Sequence, residues 1–114
     1  MSNPTQTGQQ VSLSDAEKTV EIYDALQRLK LNRDFQLVFE EHLFKNEVIR
    51  LHALSAHPEI KSNEKQAKEV QDDLNAIANL KFHLLMMDTI GANMKTELDA
   101  YREAEMAEAT ESQE

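Results

Sequence analysis

Residues 29–54 read LKLNRDFQLVFEEHLFKNEVIRLHAL, and the apolar side chains of this stretch fall on two faces of one predicted α-helix. A helix that is apolar on two faces is either the central helix of a bundle or a helix whose second face contacts a partner. At about 100° per residue, the two stripes are Leu37, Phe44, Val48 and Leu51 on one side, and Phe35, Val38, Ile49 and Ala53 on the other. From these stripes we predict a protein interface at Phe35, Val38, Phe44, Val48, Ile49 and Leu51.

Composition favours a single, mostly helical domain. The chain has 114 residues, 40% hydrophobic and 29% charged, with only two glycines and two prolines, which is unlike a sandwich rich in turns. There is no cysteine, so the sequence offers neither a disulfide framework nor a thiolate nucleophile.

Capping residues divide the sequence into three helical regions. Ser14, with a glutamate three residues later, fits a capping box at the start of the first region. Either Asn32 or Asp34 is expected to cap the second, which Pro58 ends. A short connection over 59–62 then leads to the third.

The third region, about 64–109, is long. Asn63 with Gln66, or Ser62 alone, is expected to cap it. Within it, Gly91 is the expected bend or break, since glycine costs about 1 kcal/mol relative to alanine inside a helix.

The apolar stretch from Leu80 to Ile90 should be the best buried part of this third region, because it is apolar almost all round. The third region has two offset apolar stripes, and Leu84 belongs to both and should be deeply buried. The stripes are Val70, Leu74, Ile77 and Leu84 in the first half, and Leu80, Leu84, Met87, Met94, Leu98 and Tyr101 in the second. The sequence therefore predicts an all-α fold, an antiparallel helical bundle or hairpin of three helices, or four if Gly91 breaks the third, with a long C-terminal helix.

Three segments follow from this pattern: a polar N-terminal segment over 1–12, expected to be disordered, a helical domain over 13–96, and an acidic C-terminal helix end or tail over 97–114. The tail holds seven acids against Arg102, so it carries −6 of the net charge of −9. With the acidity in the tail and a nearly balanced body, we expect no direct sequence-specific binding of nucleic acid.

The charged segments leave alternatives open. The tail is either a solvated helix end that keeps an assembly soluble, or a charged ligand. As a ligand, it would dock on a basic partner or imitate DNA. The basic cluster of Arg28, Lys30 and Arg33 suits either a nucleic acid, for which three charges beside Asp34 make a weak patch, or an acidic protein surface, such as the tail of a neighbouring copy.

No motif for chemistry is present in the sequence. The histidines lack the Glu-x-x-His and His-x-x-x-His spacings of helical metal sites and are expected to be surface or packing residues. Adjacent carboxylates such as those of Glu40 and Glu41 point about 100° apart on a helix, so they indicate solvated faces, with the pairs Glu41/Lys45 and Glu47/Arg50 adding local support. We predict no catalytic residue, no cofactor, no metal and no small-molecule substrate. The four histidines are His42, His52, His57 and His83.

Targeting signals are also missing from the pattern. The N-terminus lacks the basic start and apolar stretch of a signal peptide, and no run approaches the length of about 18 apolar residues that crosses a bilayer. We therefore expect neither export nor contact with a membrane.

A resemblance adds context over about residues 26–105. It rests on Leu29, Asn32, Asp34, Phe35, Val38, Phe44, Glu47, Arg50 and Leu51, followed by Asp73, Leu74, Ile77, Leu84, Ala92, Asn93 and Met94. In these residues the chain resembles a family of short, helical, mostly uncharacterised proteins that tailed bacteriophages encode among their virion genes. The resemblance implies a role in particle assembly or structure, in the host cytoplasm during assembly or within the virion, and it carries over no catalytic or binding residue.

The sequence and the resemblance together predict a non-enzymatic helical assembly or structural protein. It would act as a homo-oligomer, or as an accessory subunit that binds other phage particle proteins. The alternative is a small acidic phage protein that binds and inhibits a host enzyme, for instance as a DNA mimic.

Overall fold

The computed structural model describes residues 12–112, and every regular element in that range is a helix. The predicted all-α class with a long C-terminal helix is therefore confirmed. The predicted N-terminal segment, 1–12, lies outside the described residues except for Ser12. The elements are α1 (Leu13–Lys30), α2 (Arg33–Phe35), the π-helix π1 (Gln36–Glu47), α3 (Val48–Ser55), α4 (Pro58–Lys61) and α5 (Glu64–Ser112).

Side-chain caps fix the starts of these helices. The Oδ1 of Asn32 accepts hydrogen bonds from the backbone N–H groups of Asp34 and Phe35, at 2.9 and 3.1 Å, and the Oδ1 of Asn63 accepts one from Gln66 at 3.1 Å. Both asparagines are the caps that the sequence offered. The prediction of Ser14 was wrong, because the Oγ of Ser12 accepts from the N–H of Asp15 at 3.1 Å and the helix already begins at Leu13.

The connection after Pro58 was also predicted wrongly. Residues 58–61 form the short helix α4, with proline at its start and the Nδ1 of His57 accepting the N–H of Glu59 at 3.3 Å. Proline is favoured at the first position of a helix because a backbone N–H there has no partner within the helix, so its absence costs no hydrogen bond. The second helical region does end before Pro58, at Ser55, as predicted, but the proline starts another helical turn.

The segment π1 departs from the predicted α-helix. A π-helix closes i→i+5 hydrogen bonds, so its turns hold more residues than the 3.6 of an α-helix. The aromatic side chains of π1 and of Phe35, which directly precedes it, follow that wider period. Phe35 stacks on Phe39, four residues later, with ring centroids 4.9 Å apart. Phe39 then meets Phe44, five residues later, at 6.2 Å. The two apolar stripes, which assumed an α-helical period over 36–47, were therefore misassigned.

Two compact units make up the chain, Met1–Leu26 with Met86–Glu114, and Gln27–Leu85. We call them the terminal unit and the central unit. In the central unit, the buried side chains of Leu51, Val70 and Leu74 form the core. Phe35 is buried as well. The half-buried side chains that pack against this core are Val48, Leu54, Ile60 and Ile77.

In the terminal unit, α1 pairs antiparallel with the end of α5. The Nζ of Lys95 donates to Asp24 Oδ1 at 2.8 Å and lies 5.8 Å from the centre of the Tyr23 ring. The hydrogen bond to Asp24 raises the pKa of Lys95. Further along, Arg102 lies 3.9 Å from Glu17. The buried apolar side chains of this unit are Ala16, Leu26 and Leu98.

Gly91 neither breaks nor ends α5, which is helical through residues 64–112. Its role is close packing: a Cβ at this position would lie 2.7 Å from the Cγ and Cδ1 of Tyr23, and nearer still to its Cβ. Glycine therefore allows α1 and α5 to approach each other where a side chain would hold them apart.

The stretch from Leu80 to Ile90 was predicted to be the best buried part of the third helical region, and this prediction was wrong. Leu80, Phe82, Leu85, Met87 and Ile90 are all exposed, and Leu84 is only half-buried. The apolar core of α5 lies instead at Val70 and Leu74 in one unit and at Leu98 in the other. Neither core includes a residue of 80–90, and most of the large apolar side chains in this stretch are exposed.

We expect Gly91→Ala to destabilise the protein by about 1–3 kcal/mol, because the added methyl group meets the Cβ of Tyr23, which no rotamer change can move away. Thermal unfolding followed by circular dichroism measures the change. The control is Asn93→Ala, an exposed position on the same helix, which should leave the melting temperature unchanged or raise it. A higher melting temperature for Gly91→Ala would contradict the close approach.

We also expect Leu51→Ala to cost about 2–5 kcal/mol in the free energy of unfolding, since it leaves a cavity in the core of the central unit. Leu84→Ala removes the same atoms from a half-buried position and should cost clearly less. Urea denaturation of both variants tests the assignment, which is wrong if Leu84→Ala proves the more damaging of the two.

Candidate protein interface

The six predicted interface residues are divided between core and surface. Phe35 and Leu51 are buried within the chain, the latter with 2% exposure. Val38 and Ile49 are exposed, at 51% and 60%. Phe44 and Val48 are half-buried. As a docking surface, only the last four are accessible, and the interface itself stays a prediction.

Exposed apolar side chains are the main feature of the described surface. Among residues 12–112, large hydrophobic side chains that are exposed outnumber the buried hydrophobic ones by two to one. Single exposed leucines are ordinary in soluble proteins. Here they recur within single elements: Leu37 and Val38 in π1, and Phe82, Leu85 and Ile90 in α5.

A cleft of about 440 Å³ lies between π1, α3 and α5 of the central unit. We call it the π1–α5 cleft. A second depression of about 330 Å³ adjoins it and shares Phe44, Val48 and Lys81 with it. The side chains that line the π1–α5 cleft are Glu40, Phe44, Lys45, Val48, Ile49 and Lys81.

The π-helical turn explains why these residues share the cleft. Glu40, Phe44, Lys45 and Ile49 follow one another at intervals of four, one and four, and a turn wider than the α-helical one brings residues four and five apart to the same side. In an α-helix, Glu40 and Lys45, which are five residues apart, would point about 140° apart. An α-helical projection of the sequence does not bring these residues together, so it does not predict this surface. The spacing of Phe35, Phe39 and Phe44 was the available signal.

Two lysines give the cleft its charge. Among the described residues, Lys45 and Lys81 form neither an ion pair nor a side-chain hydrogen bond, and Glu40 is the single carboxylate in the lining. The predicted pair of Glu41 with Lys45 does not form, and Lys45 lines the cleft instead. The predicted pair of Glu47 with Arg50 is present, and its hydrogen bonds lower the pKa of Glu47.

The end of α5 is acidic and exposed. All described side chains from residue 99 onward are exposed, and α5 continues as a helix to Ser112. The hydroxyl of Tyr101 donates to the Oε1 of Glu105 at 2.9 Å, which raises the pKa of Tyr101 because ionising the phenol would place two negative charges together. Met106 is the most exposed large apolar residue of this segment, at 71%.

Neither a metal site nor a membrane span is found in residues 12–112. No group of three acids or histidines there is arranged to hold a metal ion. The four histidines are exposed, and His57 serves as a helix cap. None of the described helices is long and apolar enough to cross a membrane.

Comparison with protein-family models, with curated protein sequences and with solved structures finds no match to this chain. The functional interpretation therefore rests on the surfaces described above.

Proposed function

We propose that this chain is a non-enzymatic assembly protein that functions by burying its exposed apolar side chains against other subunits. The observation that carries the proposal is the excess of exposed over buried hydrophobic side chains. An excess of exposed large apolar side chains is typical of proteins that bury them against a partner.

Magnitudes support this interpretation. Moving one large hydrophobic side chain from water into an interface contributes roughly 1.5–3 kcal/mol. Phe82, Leu85 and Ile90 are each slightly more than half exposed, so burying them would contribute roughly half of that range apiece, and the loss of translational and rotational freedom opposes this gain.

The biological setting is proposed from the resemblance to short helical proteins of tailed phages. In that setting the chain is a homo-oligomer or an accessory subunit of the phage particle. It would be present in the host cytoplasm during assembly or retained in the virion.

We expect the purified chain to self-associate at concentrations of roughly tens of micromolar, because association through exposed apolar surfaces increases with concentration by mass action. Multi-angle light scattering measures the mass. The double variant Val38→Asp/Phe82→Asp places a charge at two exposed apolar positions and should shift the population toward monomer without lowering the melting temperature.

The matched control is Asn46→Asp/Asn79→Asp, which adds the same charge at exposed polar positions on π1 and α5. It should associate like the unmodified chain. A wild-type chain that remains monomeric and well folded at these concentrations would contradict the proposal.

A second candidate function is inhibition of a host enzyme by imitation of DNA. The observation that favours it is the row of exposed carboxylates after residue 97, which includes Glu103, Glu108 and Glu111. A helix that displays regularly repeated negative charge competes for the basic surfaces that bind phosphates. Against this, the nine acids of the central unit are balanced by nine lysines and arginines, so the excess of negative charge is concentrated toward the C-terminal end of the chain.

To test inhibition, host extract is loaded on immobilised duplex DNA, and the DNA with its bound host proteins is then washed with a solution of this protein. A mimic would elute bound proteins, and a chain that ends at Arg102 would not. The truncation falls there because Leu98 is buried and must be kept. We expect no elution by either form; elution that requires the tail and weakens with salt would favour the second candidate.

A further inference from the structure

We propose that the π1–α5 cleft binds the acidic end of α5 from a second copy of this chain. Asp99 and Glu103 of that copy would pair with Lys45 and Lys81, and Met106 would enter the apolar part of the cleft. This inference rests on the proposed self-association and names the surfaces that would give it specificity.

The cleft offers an apolar floor with a cationic margin. Phe44, Val48 and Ile49 supply the apolar surface. The ammonium groups of Lys45 and Lys81 have no carboxylate partner among the described residues, so a bound acidic segment would displace only water from them. Glu40, the one acid in the lining, repels a strongly negative ligand such as a nucleic acid. A ligand with few negative charges can still pair with the two lysines.

The end of α5 carries the complementary groups on one face. Asp99, Glu103 and Met106 follow each other at four and three residues, the spacing at which side chains share a side of an α-helix. The two carboxylates are separated by roughly 6 Å along the helix axis. Methionine, with its flexible and polarisable side chain, suits an open cleft of irregular shape. All three side chains are exposed in the chain itself.

Charge complementarity selects this occupant over other parts of the chain. The segment over residues 97–114 is the most acidic stretch of the sequence, with seven acids against one arginine. Exposed ion pairs add little affinity, but opposed charges fix the register of association and like charges oppose it strongly. The exposed apolar side chains would supply affinity, and the pairing of cleft and α5 would set which surfaces meet.

The experiment exchanges the charges. Lys45→Glu/Lys81→Glu makes the cleft acidic, and Asp99→Lys/Glu103→Lys makes the α5 face basic. Sedimentation velocity should show each double variant associating with itself about tenfold or more weakly than the wild type. In an equimolar mixture the charges are complementary again, and association should return to within about threefold of the wild type.

Matched controls carry the same charge change elsewhere. Lys61→Glu/Lys65→Glu lies outside the cleft, and Glu97→Lys/Glu111→Lys lies on the other side of α5. Both should associate like the wild type. All variants are first checked by circular dichroism for an unchanged melting temperature.

The outcomes are distinct. A wild type that is always monomeric overturns both the proposed function and this contact. Self-association that neither exchanged variant weakens overturns the contact and leaves the proposed function standing. Weakening by the cleft variant alone overturns α5 as the occupant. Weakening by both variants without recovery in the mixture overturns their direct pairing.

Discussion

The wide period of π1 is the constraint on which the central unit depends. Three phenylalanines at intervals of four and five form a continuous row of ring contacts, and only a turn wider than the α-helical one aligns them. The same alignment has two results. It buries Phe35 while leaving Leu37 and Val38 exposed, and it brings Phe44 and Lys45 to one cleft. π-Helical turns are frequent at functional sites, and here the turn creates the candidate interface.

Local signals in the sequence were sufficient for much of the fold. Asn32 and Asn63 were recognisable as caps because their amide oxygens satisfy N–H groups within three residues, a purely local interaction. The length of α5 likewise followed from the near absence of helix-breaking residues. Gly91 was different. Its cost in helix propensity is local, but its function depends on Tyr23, which is distant in sequence and which no periodicity connects to it.

The candidate interface was predictable only in part. An excess of apolar residues was evident from the sequence, and Val38 and Ile49 are indeed exposed. Which apolar residues become core depends on the partners that tertiary structure supplies, so Leu51 was assigned to the interface although it packs on Val70 and Leu74. The converse error occurred at residues 80–90, where an apolar helix segment was assumed to be buried. Lys81 was not predicted as part of the interface because its place in the cleft depends on π1, which an α-helical projection cannot describe.

The pairing of α1 with the far end of α5 has a consequence for the order of folding. Asp24 and Lys95 are 71 residues apart in sequence, whereas the aromatic row of the central unit connects neighbours within a single turn. Closing the longer loop costs more chain entropy, and contacts between distant residues slow folding. During synthesis, which proceeds from the N-terminus, α1 emerges early and must wait for the C-terminal part of α5 before Tyr23 meets Gly91. Until then, its side chains Ala16 and Leu26 lack their native cover, and the nascent chain is most vulnerable to aggregation and to chaperone capture.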